Sequence, residues 1–148
     1  MTRVAAIDHG TRRIGVAVGD LETGMAFARA AIRQRRDMAP EDAVAETLRS
    51  DGVSSVVVGL PVHADGEEGT QAGVVRDFGD RLRERGFDVV YWDERNTSWQ
   101  AARELGQGAQ PDRRARAGGE LDSAAARIIL QDYLDTQRRR SAQQEESE

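Results

Sequence analysis

Neither cysteine nor lysine occurs in the 148 residues, and histidine occurs only twice. Without cysteine there is no disulfide framework, no thiolate zinc site and no cysteine nucleophile. Two histidines far apart do not make a His-rich metal site. Any metal would be held mainly by carboxylates, which favour Mg2+ or Mn2+. No apolar run approaches the roughly 18 residues that span a bilayer, so no membrane partner is expected. Asp8 and Arg12-Arg13 interrupt the N-terminal region too early for the apolar segment of a signal peptide. The expected location is the cytoplasm.

Every basic residue is arginine, which meets phosphate as a planar fork rather than a point charge. The net charge of −5 argues against nonspecific coating of nucleic acid. It does not argue against a nuclease, whose cation-binding carboxylates count as negative in that sum. Local groups (Arg33, Arg35, Arg36; Arg113, Arg114, Arg116; Arg138–Arg140) could supply a phosphate-facing strip.

The 39% hydrophobic residues fit one soluble domain with a single core. We expect that domain over residues 1–137, with 138–148 as a flexible tail. Residues 3–8, 13–19 and 25–32 read as three strands with short connections, an antiparallel meander. Pro40 suits the first position of a helix in which Val44 and Leu48 share a face and Gly52 marks the end. "VSSVVVG" reads as a β-branched strand. Residues 71–85 form an amphipathic helix with Val74, Val75, Phe78 and Leu82 at helical spacing. "FDVVYWDER" is the last strand, and Thr97 and Gln100 have capping-box spacing for a helix after it. Residues 106–119 read as a loop and 120–136 as the final helix. The order predicts an α/β fold: a five-stranded mixed sheet, three meandering strands then alternating helices and strands, with helices on both faces.

Three acidic positions interrupt apolar elements near their ends. Asp8 closes the first strand, Asp93-Glu94 closes the last, and Asp122 lies in the first turn of the alanine-rich final helix. Each has a structural alternative. Asp8 suits a turn, Glu94 could pair with Arg95 or Arg103, and Asp122 suits the helix dipole. Functional groups of open α/β sheets gather at strand ends beside a change of topology. Three carboxylates converging there would repel one another unless cations neutralise them. That arrangement points to a two-ion site for displacement at phosphorus.

The motifs "IDHGTRRIGVAVGD" (7–20), "VVVGLPVHADGEEG" (56–69), "DERNTSWQA" (93–101) and "LDSAAARIILQDYLD" (121–135) resemble, in this order, the YqgF/RuvX family. That family comprises bacterial Holliday-junction-resolvase-like nucleases of the ribonuclease H-like superfold. The resemblance implies that Asp8, Glu94 and Asp122 are both catalytic and metal-binding. They would bind two Mg2+ or Mn2+ ions, activate water and stabilise the leaving 3′ oxygen. It also implies nucleic acid as partner: structured RNA in 5′-end maturation of precursor 16S ribosomal RNA, or alternatively four-way DNA junctions. Substrate contacts are expected from Gly10, Arg95, Arg113, Arg114 and Arg116. The chain departs from the family pattern at His63, where asparagine is usual nearby, at Asn96-Thr97-Ser98, and at Gly118-Gly119.

Two rival readings stand beside this one. The Asp-x-Gly-Thr hairpin also resembles the phosphate loop of sugar kinases and actin-like ATPases, but those proteins need two lobes. A noncatalytic RNA- or ribosome-binding module is the other. Either a monomer or a homodimer is compatible with the sequence, and a junction resolvase favours the dimer.

Overall fold

The computed structural model describes residues 3–10, 12–62, 66–94 and 123–147. Five strands form one sheet: β1 (Arg3–His9), β2 (Arg13–Asp20), β3 (Met25–Arg33), β4 (Ser55–Leu60) and β5 (Asp88–Asp93), in spatial order β3-β2-β1-β4-β5. The first three pair antiparallel, while β4 and β5 run parallel to β1. This is the expected mixed sheet, and β1 is its central strand.

Helices α1 (Pro40–Ser50) and α2 (Thr70–Glu84) cover one face, and α3 (Ala124–Ser147) covers the other. Strand alternation divides the core accordingly. On β1, Ala5 and Ile7 pack with Val44, Leu48, Val75 and Leu82, whereas Val4 and Ala6 pack with Ala126, Ile129, Leu130 and Leu134 of α3. Asp51 and Arg85 close α1 and α2. Gly52 and Gly86 follow at φ +71° and +95°, a conformation that favours glycine.

The face under α3 is built from small residues. Ala6, Ala17 and Ala26 lie there, and a Cβ on Gly19 would stand 3.0 Å from Leu134 Cδ1. The helix thereby comes close enough to bury Ile129, Leu130 and Leu134 completely, each contributing roughly 1.5–3 kcal/mol. Gln131 ties α3 to the sheet edge. Its side chain donates to Gly24 O (2.7 Å) and accepts from Ala26 N (3.1 Å).

Two expectations need correction. Val74 is 44% exposed, and the buried side of α2 is Ala72, Val75, Phe78, Gly79 and Leu82. At 100° per residue, Val74 falls outside the stripe set by Val75, Phe78 and Leu82. The final helix runs to Ser147, beyond the expected end at 136. Its last stretch, residues 138–146, is exposed and rich in Arg, Gln and Glu, which favour helix without an apolar stripe. The expected helix after β5 and the loop 106–119 lie outside the described residues.

Candidate active site

Asp8 lies two residues beyond Ala6 on β1, so it shares the face that α3 covers. It is half-buried and sits opposite Gly15 of β2. On its other side, the parallel register Ile7↔Val58 places Asp8 next to Gly59 of β4. Gly59 in turn pairs with Trp92 of β5, which packs against the α3 cluster. Glu94 follows directly after β5, and its Oε1 stands 3.3 Å from where a Cβ on Gly59 would be.

The site therefore spans three parallel strands. Asp8 and Glu94 come from the two outer strands, about 10 Å apart at 4.8 Å per step, and Gly59 between them contributes no side chain. A Cβ on Gly59 would also lie 2.6 Å from Ile129 Cδ1, so the floor of this gap has no room for one. Glu94 also lines a cavity with Pro61, Val62 and the N-terminal turn of α2 from Gly69 to Ala72.

A second element reaches the same end of the sheet. Ser123, fully buried, accepts a hydrogen bond at its Oγ from Val16 N at 3.1 Å. The β2–β3 register shifts between Ile14 and Val16, and this hydroxyl satisfies an amide that the irregular ladder leaves over. The start of α3 is thus pinned at the pair of residues next to that of Asp8.

His9, adjacent to Asp8, points to the opposite face. Its ring lies 4.8 Å from Phe78, and its buried Nδ1 has no hydrogen-bond partner among the described residues. Burial holds its pKa below 6.5, opposed by its backbone hydrogen bond and by Glu41. Glu41 is itself buried, with Arg81 and Arg85 at 3.6 and 3.9 Å.

Gly10 closes the β1–β2 turn. Its amide donates to Arg13 O at 3.1 Å, its carbonyl accepts from Gln34 Nε2 at 2.6 Å, and a Cβ would strike the Arg13 carbonyl. That turn geometry accounts for the glycine. Asp122, Arg95, Arg113, Arg114, Arg116 and His63 lie outside the described residues. Among the described residues, no three His, Asp or Glu stand together as a metal-binding set.

Asp8 and Glu94 offer only carboxylate oxygens, a donor set suited to Mg2+ or Mn2+. Those oxygens fit a hard cation, and Gly59 lets Glu94 stand over β4 with no side chain in its way. Gly59 and Ser123 escaped sequence reasoning. The one available signal was a glycine closing the β-branched run "VVVG", which marks a close approach. The serine carried no such signal.

Among solved structures, RuvC of T. thermophilus, in complex with Holliday junction substrate, matches with a TM-score of 0.51 at 16% identity, covering 92% of this chain and 96% of that one. The fowlpox virus Holliday junction resolvase matches with a TM-score of 0.54 at 13% identity, covering 90% and 98%. These likenesses establish the ribonuclease H-like fold. A protein of Caldanaerobacter subterraneus subsp. tengcongensis named "Putative pre-16S rRNA nuclease" is 40% identical over 92% of this chain and 98% of its own. One of Thermus thermophilus with the same name is 39% identical over 89% and 96%. The family model described as RuvX, Holliday junction resolvase, matches residues 2–136. With that match across nearly its whole length, the chain belongs to the RuvX family.

Proposed function

We propose that this protein is a nuclease that hydrolyses phosphodiester bonds of nucleic acid with Mg2+ or Mn2+, and that it acts in 5′-end maturation of precursor 16S ribosomal RNA. The observation that carries this reading is the placement of Asp8 and Glu94 on one face of the sheet, with the side-chain-free Gly59 between them. Asp8, Glu94 and Asp122 would hold the cations. Asp122 directly precedes Ser123 in the sequence.

Bound there, two divalent cations supply charge neutralisation at the scissile phosphate and an acidified water. The protein's own part is positioning. The rigid β1 holds Asp8, and Glu94 Oε1 can accept a hydrogen bond from the attacking water. The missing side chain at Gly59 lets Glu94 and Ile129 come in over β4. Arg95, Arg113, Arg114 and Arg116 would contact substrate phosphates, and a cytoplasmic place of action suits a ribosomal RNA substrate.

The names of the relatives favour RNA, whereas the family description favours four-way DNA junctions. Incubating purified protein with a precursor 16S fragment and with a four-way junction in Mg2+ or Mn2+ separates the two. Cleavage of the RNA is expected, with a loss of at least about 100-fold in Asp8→Asn, since even outer-shell changes at metal sites cost 10–100-fold. Mg2+ should also raise the melting temperature of the wild type but not of Asp8→Asn, because binding stabilises the folded state. Full cleavage by Asp8→Asn would overturn the site. Tight RNA binding without turnover would favour the noncatalytic module.

A further inference from the structure

Helix α3 outlasts the core it packs on. Leu134 is its last core residue, and Arg138 still reaches the β2–β3 turn, donating from Nη1 to Thr23 O at 3.4 Å. Residues 138–146 are then exposed throughout, an extension of about 13 Å at 1.5 Å per residue. The family match ends at residue 136, so this extension lies outside the family's common domain.

The charges of the extension run in two blocks, Arg138, Arg139 and Arg140, then Glu145 and Glu146. No opposite pair among them falls at the three- or four-residue spacing that joins neighbours on a helix. Arg138 and Arg139 reach only neutral oxygens, Thr23 O and Thr136 Oγ1, each at 3.4 Å. Glu145 and Glu146 stand in the last turn, where the helix dipole prefers cations, and that turn holds no basic residue. Arg138, Ser141, Ala142 and Glu145 share one side of the helix and line an open groove with Leu21 and Tyr133. A basic block and an acidic block thus lie along an uncovered helix, and neither neutralises the other.

We propose that this extension is a self-association site, where the α3 helices of two copies pair antiparallel about a two-fold axis at Ala142. In that register Arg138 is level with the other copy's Glu146 and Arg139 with its Glu145, and the axis repeats both pairs. Each arginine block then lies against the acidic end of the opposite helix and supplies the cations that end lacks. A parallel pairing would set arginine against arginine, so charge selects the antiparallel one. Ser141 and Ala142, both small, stand at the axis and let the backbones approach. Exposed ion pairs are individually weak, so the dimer is salt-sensitive and forms at high concentration. The pairing stands independently of the nuclease reading, but it places the two candidate sites. From Ser123 to Ala142 each helix runs about 28 Å, so the sites stand more than about 50 Å apart at opposite ends of the dimer.

Sedimentation velocity of the full chain reads the association. Between about 10 and 300 μM protein at low salt, the average mass should climb from one chain toward two. Raising salt to about 1 M, where the screening length is about 3 Å, should weaken association at least about 10-fold. Arg138→Glu with Arg139→Glu, and separately Glu145→Arg with Glu146→Arg, should each stay monomeric, because each variant sets like charges together. Mixed in equal amounts, the two variants should pair again, a result that a folding defect in either cannot produce. Ala142→Cys gives this cysteine-free chain one thiol, which should oxidise to a covalent dimer, whereas Arg140→Cys should not. A chain that stays monomeric at every concentration, or a mixture of variants that does not pair, would overturn the pairing. So would a loss of RNA binding in Arg138→Glu with Arg139→Glu at unchanged mass, which would assign these arginines to nucleic acid.

Discussion

Glu94 Oε1 stands 3.3 Å from the point at which a side chain on Gly59 would begin, and Ile129 Cδ1 stands 2.6 Å from the same point. The floor of the candidate site is thus shared by a carboxylate and a core isoleucine, with a glycine keeping them apart. Gly59→Ala should cost about 1–3 kcal/mol as overpacking. It should also lower cleavage roughly 10- to 100-fold by displacing Glu94, since small misplacements at a reacting centre are expensive. Adding Ile129→Val should restore the melting temperature but not the rate. A double variant that recovers both would show that Gly59 serves packing only.

Ser123 is the second support. Ser123→Ala leaves the Val16 amide without its acceptor, and an unsatisfied buried donor costs about 1–3 kcal/mol. Urea unfolding measures that loss directly. The same variant should need more Mg2+ for half-maximal cleavage, because the start of α3 loses its fixed point. A stability change under about 0.5 kcal/mol would mean that the amide has another partner.

His9 makes stability depend on pH. Burial lowers its pKa in the folded state below 6.5, so the unfolded chain takes up the proton first as pH falls. The stabilisation is complete above pH 6.5 and is lost as pH drops toward the folded pKa. Urea midpoints should therefore fall between pH 6.5 and 5 in the wild type, and His9→Gln should flatten that decline. Equal slopes in the two proteins would remove His9 from the account.

Much of this was legible in the chain. The unbroken apolar runs of β1 and β2 and the glycines closing α1 and α2 are local signals, and the helices and strands follow them. Asp8 and Glu94 could be found because each interrupts an apolar run where a strand ends. The glycine at position 59 reads locally as a strand end; its meaning comes from Ile129 and Glu94, which only the folded sheet brings to it. Ser123 is a plain helix-start serine until Val16, 107 residues away, is seen to need it. The far part of α3 has no apolar periodicity to read, so intrinsic propensity alone carries it.

The parallel register of β1, β4 and β5 bears on how the protein is made. Asp8 leaves the ribosome in the first strand, and the meander that carries it can form early from contacts close in sequence. Glu94 comes later, and it reaches the site only after β4 has docked against β1 and β5 against β4. Such non-local pairing is the slow part of folding. A nascent or truncated chain therefore exposes one carboxylate without its counterpart, and the two meet only when the sheet is complete.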